Sequence, residues 1–221
     1  MIQRITEDNS VTLFNEKYQE YYHSIHGALE EAFEKYIKPC RIAEIAKTGK
    51  IRILDVCFGL GYTSAAAIEA ALESNPECEI EIVGLEIDEK IFEEMKKVNP
   101  PLKYYGLIRG DQSDPKVKVK ILLADARESI KKLNGQFDAV FLIPFSIAVC
   151  PELWTVEFLS GIKKVMKPEA ILATYSCARK VRENLKEAGF IIKDGPAVGR
   201  RGPSTIANIK ESGAKTNINK I

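Results

Sequence analysis

No apolar run in the chain approaches the roughly 20 residues needed to cross a bilayer, and the polar, acidic start is unlike a signal peptide. A membrane protein is therefore not expected, and the cytoplasm is the expected location. Histidine is scarce: only His23 and His26 occur, three apart. The five cysteines, Cys40, Cys57, Cys78, Cys150 and Cys177, are odd in number and never spaced C-x-x-C. A disulfide framework and a structural zinc site are not expected, and no metal is expected elsewhere. Internal repeats and low-complexity blocks are also missing. What remains is an ordinary globular composition, 45% hydrophobic and 29% charged over 221 residues, enough for one α/β unit with a real core.

The net charge of +1 hides an asymmetry. Residues 1–159 hold 19 Lys+Arg against 26 Asp+Glu, or −7, and residues 160–221 hold 13 against 5, or +8. A basic final third fits a polyanionic partner, although alternating charges on a solvated surface would give the same count.

Local patterns organise the chain. Ala28, Leu29, Ala32, Phe33, Tyr36 and Ile37 form an apolar stripe at helical spacing, so a helix is expected from about Glu20 to Lys47, broken or kinked at Pro39. Strands are then expected at Ile51–Val56, Ile80–Glu86, Val117–Ala124, Phe137–Ile143 and Ala170–Tyr175. Helices are expected at Tyr62–Glu73, Glu89–Val98, Ala126–Leu133, Leu153–Met166 and Ala178–Ala188. Pro100 to Lys116 reads as a loop-rich insertion. Phe190–Lys193 and Thr205–Ile209 read as a closing antiparallel pair. This alternation predicts a Rossmann-like, mostly parallel seven-stranded sheet, covered on both faces, with an antiparallel final strand and an N-terminal helical extension.

Ligands of such sheets sit beyond the carboxyl ends of the strands. The first strand ends in Asp55-Val56-Cys57-Phe58-Gly59-Leu60-Gly61-Tyr62, where two glycines allow a tight turn and close approach of a ligand. A dinucleotide site would want a third glycine to bring a pyrophosphate onto the helix, but position 64 is serine. Asp55 would repel a phosphate and suit a cation bearing an amino group. S-adenosylmethionine, with its sulfonium and α-ammonium, has the right sign. Glu86, closing the second strand next to Ile87, is placed for ribose hydroxyls. Asp125, closing the third next to Ala126, is placed for an adenine amino group. Both could instead be helix caps.

Beyond these signals the chain resembles the methyltransferase domain of the MnmC family. The resemblance rests on Tyr22-His23-Ser24 with Gly27-Ala28-Leu29-Glu30, the Cys57-Phe58-Gly59-Leu60-Gly61-Tyr62 loop, Phe137-Asp138-Ala139-Val140-Phe141-Leu142, Pro151-Glu152-Leu153-Trp154-Thr155, Leu172-Ala173-Thr174-Tyr175-Ser176 and Gly199-Arg200-Arg201. With no oxidase domain following, it is similar to the stand-alone form. The resemblance implies a class I fold, with an extension over 1–50 and a methyltransferase domain over 51–221 that together make one compact unit. It implies S-adenosyl-L-methionine as cofactor, held by Asp55, Phe58, Gly59, Gly61, Tyr62, Glu86, Ile87, Asp125, Ala126 and Ile143. It implies tRNA as partner, and methylation of the primary amine of 5-aminomethyl-uridine at the wobble position. Arg200, Arg201 and Lys180 are the expected tRNA contacts.

One departure bears on the chemistry. The family carries an Asp at the end of the fourth strand, and here that position is Ile143, followed by Pro144-Phe145-Ser146. Val149 and Cys150 also replace polar residues. Three readings stay open. The same amine is methylated by positioning alone, with Tyr175, Ser146 or His23 as polar partner; a different, less basic acceptor is used, such as a small molecule; or cofactor is bound without transfer. Trp154 is expected in the core. Tyr104 and Tyr105 are candidates for stacking on a base. Arg179, Lys180, Arg182 and Lys186 form a helix face that is either solvated or part of a tRNA surface.

Overall fold

A computed structural model describes residues 1–199 and 202–209. Ten strands and eight α-helices are ordered along them. The chain starts with a small antiparallel sheet of β1 (Ile2–Ile5), β2 (Val11–Asn15) and β3 (Glu20–Tyr21). Helix α1 (Ala28–Ala32) runs into a π-helical turn at Phe33–Ile37, and α2 (Ile42–Ala46) follows. The helix expected from Glu20 is thus corrected: Glu20 and Tyr21 are strand, and helix begins only after Gly27. The apolar stripe from Ala28 on is genuine. Upstream of it, Val11–Asn15 has extended residues pairing with β1, and local periodicity did not reveal that long-range pairing.

The main sheet has the order β6-β5-β4-β7-β8-β10-β9. Its strands are β4 (Lys50–Val56), β5 (Glu79–Glu86), β6 (Val117–Leu123), β7 (Phe137–Leu142), β8 (Met166–Thr174), β9 (Ile191–Asp194) and β10 (Thr205–Asn208). β4 to β8 pair in parallel, whereas β10 pairs antiparallel with both β8 and β9. The expected mostly parallel seven-stranded sheet with an antiparallel final strand is the one observed. β8 starts four residues before the expected Ala170. Pro168 lacks an N–H for the ladder, and the pairing with β7 shifts there, from Phe137 with Met166 to Ala139 with Ile171.

The central strands are apolar on both sides. Ile51 and Ile53 of β4 enter one core, with α3 (Tyr62–Ser74), α1 and α2, and Leu54 and Val56 enter the other. The second core holds α6 (Ala126–Lys132), α7 (Val156–Lys164) and α8 (Arg179–Glu187). Two short helices, α4 (Lys90–Met95) and α5 (Tyr105–Arg109), complete the set. Tyr105 lies in α5, in the stretch expected as loop, and its hydroxyl donates to Leu60 O at 2.8 Å. It is 2% exposed, so it is a core residue and not a free stacking platform. Tyr104 is partly exposed beside the Lys103 ammonium. Trp154 is fully buried and donates to Phe145 O, as expected of a core residue.

Candidate functional site

The loop after β4 is shaped by close approaches at its glycines and at Gly84. Gly59 and Gly61 have φ of 57° and 72°, a region that L side chains rarely adopt. A Cβ on Gly61 would lie 2.6 Å from Ile108, and one on Gly84 would lie 2.5 Å from the Phe58 ring. Phe58 therefore fills the space that Gly84 and Gly61 leave, and holds the loop against β5. The Cys57 and Phe58 N–H groups both donate to Leu85 O at 3.0 Å. Cys57 itself adopts φ 65°, a strained conformation for a non-glycine residue.

Glu86 ties the two strand ends together. One carboxylate oxygen accepts the Gly59 N–H at 2.8 Å, and the other accepts those of Ile87 and Asp88 at 2.8 and 2.9 Å. Burial raises its pKa, against the pull of these N–H donors. With about four acceptor sites on a carboxylate, Glu86 keeps one for a ligand. Asp88 lines the same cavity and adds a second acidic group.

The cavity at these strand ends has two lobes that share Tyr18, Cys57, Glu86, Ile87, Cys150 and Leu153. One lobe lies over Phe58, Gly59 and Ile143, and the other reaches Asp125, Ala126 and Arg127. Asp125 caps α6 by accepting the Arg127 N–H, and also pairs with the Arg127 guanidinium. That hydrogen bonding lowers its pKa. Asp125 is thus a helix cap whose residue also lines the cavity.

Asp55 departs from the charge argument made for it. It is fully buried, does not line the cavity, and accepts the Ser64 hydroxyl at 2.7 Å while its other oxygen has no partner. Burial, with a smaller push from the Glu86 charge, raises its pKa to about 8. At neutral pH the group is mostly protonated in this state and offers little negative charge. Gly61 and Tyr62 likewise shape the loop from behind.

Residues of the N-terminal segment roof the cavity. Asn15, Tyr18, Tyr22 and His23 line it. Tyr18 stacks on Phe145 at 4.6 Å between centroids, and Tyr22 meets the same ring edge-on at 5.2 Å. Of these four only His23 was expected. Tyr22 stood in the Tyr22-His23-Ser24 motif but in a stretch read as helix, and Asn15 and Tyr18 lie before that stretch with no motif to mark them. His23 stacks on Tyr62 at 5.1 Å, with its Nδ1 sealed from solvent and unpartnered. Burial lowers its pKa to about 4, so the ring is neutral at physiological pH.

A second cavity opens beside the first. The two share Tyr22, His23, Ile143 and Phe145, and the second adds Glu20, Glu31, Lys35, Tyr175 and Gly199. Tyr175 donates its hydroxyl to Pro144 O at 2.9 Å. Ser146 does not line this cavity but donates to Glu20. Thus His23, Ile143 and Tyr175 are brought together. Lys180 lies apart, exposed on α8. Arg182 is corrected as a surface residue, since it is committed to Ser204 O, the Thr205 hydroxyl and Asp194. Arg200 and Arg201 lie outside the described residues. Among the described residues no group of three His, Cys, Asp or Glu could hold a metal, and no helix is long and apolar enough to cross a membrane.

Comparison with known proteins bears on this site. A family model described as S-adenosyl-L-methionine-dependent methyltransferase matches residues 88–210. The crystal structure of MNMC2 from Aquifex aeolicus is 36% identical, with a TM-score of 0.86, over 94% of this chain and 70% of that one. Protein MJ0670 of Methanocaldococcus jannaschii is 31% identical over 98% of this chain and 62% of its own length. The tRNA 5-methylaminomethyl-2-thiouridine biosynthesis bifunctional protein MnmC of Leptospira interrogans is 24% identical over 96% of this chain. The chain spans 36% of that relative's length.

Proposed function

Because the chain belongs to the S-adenosyl-L-methionine-dependent methyltransferase family, we propose that it methylates the aminomethyl nitrogen of the tRNA wobble uridine, turning 5-aminomethyl-uridine into 5-methylaminomethyl-uridine. S-adenosyl-L-methionine is its cofactor. The observation that carries the acceptor is similarity over nearly the whole chain to MNMC2 and to MnmC.

The residues present fit the cofactor. The Gly59 and Gly61 backbone leaves room that side chains would fill, and acidic groups stand at the ends of β5 and β6. Glu86 and Asp88 would hold the ribose hydroxyls, Asp125 the adenine amino group, and Ile87, Ala126 and Leu153 the apolar faces. Phe58, Gly61 and Tyr62 would act by holding the loop. When bound, the cofactor supplies a methyl group made electrophilic by its sulfonium, and the C–S bonding pair returns to sulfur. The chain's part is to present a neutral amine in line with that bond. The amine is mostly protonated at neutral pH, so one proton must leave to solvent before the nitrogen lone pair forms the new C–N bond; the product leaves as the methylated ammonium, and one proton is released overall. His23 lines both cavities and is neutral, so it does not repel the charge of an incoming ammonium. Ile143, at the junction of the two cavities, offers no polar contact there. That fact favours a second reading, a small acceptor of lower basicity.

One experiment separates them. The protein is incubated with cofactor and tRNA bearing 5-aminomethyluridine, and the nucleosides are analysed by mass. A product heavier by one methyl group is expected. Its absence with enzyme in excess, while the cofactor still binds, would overturn the tRNA reading.

A further inference from the structure

Among the described residues, the second cavity holds one carboxylate that has no ion-pair partner. Three of its lining residues are charged: Glu20, Glu31 and Lys35. Lys35 pairs with Glu31 at 2.7 Å, with side chains only 3% and 13% exposed, so these two charges cancel. The other Glu31 oxygen accepts the Ser24 N–H at 2.9 Å. Glu20 differs. It accepts the Ser146 N–H at 2.9 Å and the Ser146 hydroxyl, both neutral donors. Among the described residues no cation stands within ion-pair distance of it. Among the described residues, Glu20 is therefore the one charge of this cavity without an opposite charge beside it.

Its surroundings are suited to holding a cation. Tyr21, Tyr22, Phe145 and Tyr175 line the same cavity, and aromatic faces attract cations. His23 adds no positive charge there. The segment carrying Ser146 is fixed in turn, because Phe145 is clasped by Tyr18 and Tyr22. Both partners of Glu20 are thus rigid, and its carboxylate lines the same cavity as Ile143, which also lines the first. A half-buried carboxylate with no counter-ion is costly, and a bound ammonium removes that cost.

We propose that Glu20 binds the protonated amine of the methyl acceptor and makes the site selective for amines over hydroxyl acceptors. This rests on the reading that the second cavity receives the acceptor. Glu20 loads the acceptor as an ammonium. The proton then leaves to solvent through the open cavity, and the free amine stays in place for transfer.

The test uses the full chain saturated with S-adenosylhomocysteine, titrated with two free nucleosides, 5-aminomethyluridine and 5-hydroxymethyluridine, by calorimetry. The wild type is expected to prefer the amine. Glu20→Gln should weaken amine binding by roughly ten- to a hundredfold, the scale of a charged hydrogen bond, and leave the hydroxyl analogue unchanged. Glu20→Asp should restore part of the preference. Ser146→Ala, which removes a structural contact but keeps the charge, should retain most of it. In turnover, Glu20→Gln should raise the KM for the amine acceptor far more than it lowers kcat, with cofactor affinity unchanged. A wild type without preference for the amine, or a Glu20→Gln variant that keeps it, would overturn the proposal. If the preference depends on Glu20 but tRNA is not methylated, the tRNA reading falls and the assignment of Glu20 stands. If tRNA is methylated with the same KM by Glu20→Gln, the reverse holds.

Discussion

Two buried titratable residues near the loop pull stability in opposite directions. The folded pKa of His23 is lowered to about 4 from 6.5. Between those values the unfolded chain holds a proton that the native one does not, so this contribution rises with pH. The folded pKa of Asp55 is raised to about 8 from 3.8. Between those values the native chain holds the extra proton, so this contribution falls as pH rises. The two oppose each other up to about pH 6.5, and from there to about pH 8 Asp55 acts alone, at up to about 1.4 kcal/mol per pH unit. Without cofactor, the wild type should lose stability across that upper window and Asp55→Asn should not. Urea unfolding at the two ends of the window checks this, and parallel losses would refute it. Gly59, Gly61 and Glu86 marked the loop as a ligand site, because turn geometry and acidic strand ends leave local marks, but the choice of ligand leaned also on the charge of Asp55, which burial removes. The protonation of Asp55 was not legible, since it depends on burial by distant residues. Glu20 carried no mark at all, because its meaning comes from Ser146, 126 positions away.

At the scale of elements, the start of α1 is capped from outside its own neighbourhood. Gly27, just before it, has no side chain to offer, and Asp8 in the β1–β2 turn accepts the Leu29 and Glu30 N–H groups, both at 3.0 Å. The other Asp8 oxygen accepts from Thr6 and Ser10. A Cβ on Gly27 would sit 2.6 Å from Asp8, so glycine is needed for space. Burial opposes ionisation of Asp8, but these hydrogen bonds outweigh it and hold the pKa at about 2. Its contribution is present above the ordinary 3.8 and is lost as pH falls through 2. Asp8→Ala should cost about 1–2 kcal/mol, the scale of a lost helix cap, with the loss read from denaturant midpoints at neutral pH and shrinking in acid. Apart from α5, which lies in a stretch read as loop, the strands and helices after Lys50 were legible to within a few residues, because each is buried on one or two faces and shows it in its period. The three opening strands were not, because they pair across a turn and depend on the main domain for support.

For the whole molecule, the charge asymmetry predicts how tRNA would bind. Counter-ion release makes affinity fall with salt on a log–log scale. Lys180→Ala, on the exposed face of α8, should weaken tRNA binding whatever the anticodon sequence and reduce the salt slope by about one. Filter binding at several salt concentrations measures both, and an unchanged slope would remove Lys180 from the surface. Arg182 is a poor choice for such a test because its guanidinium braces β10.

The roof over the cavities has a consequence for the order of assembly. Tyr18, Glu20 and Tyr22 are made early, but the Phe145 and Ser146 they grip come more than a hundred residues later in the chain. During synthesis Tyr18 and Glu20 cannot make these contacts until the residues that follow β7 have emerged. Closing the roof is therefore a late step, and it waits on most of the sheet.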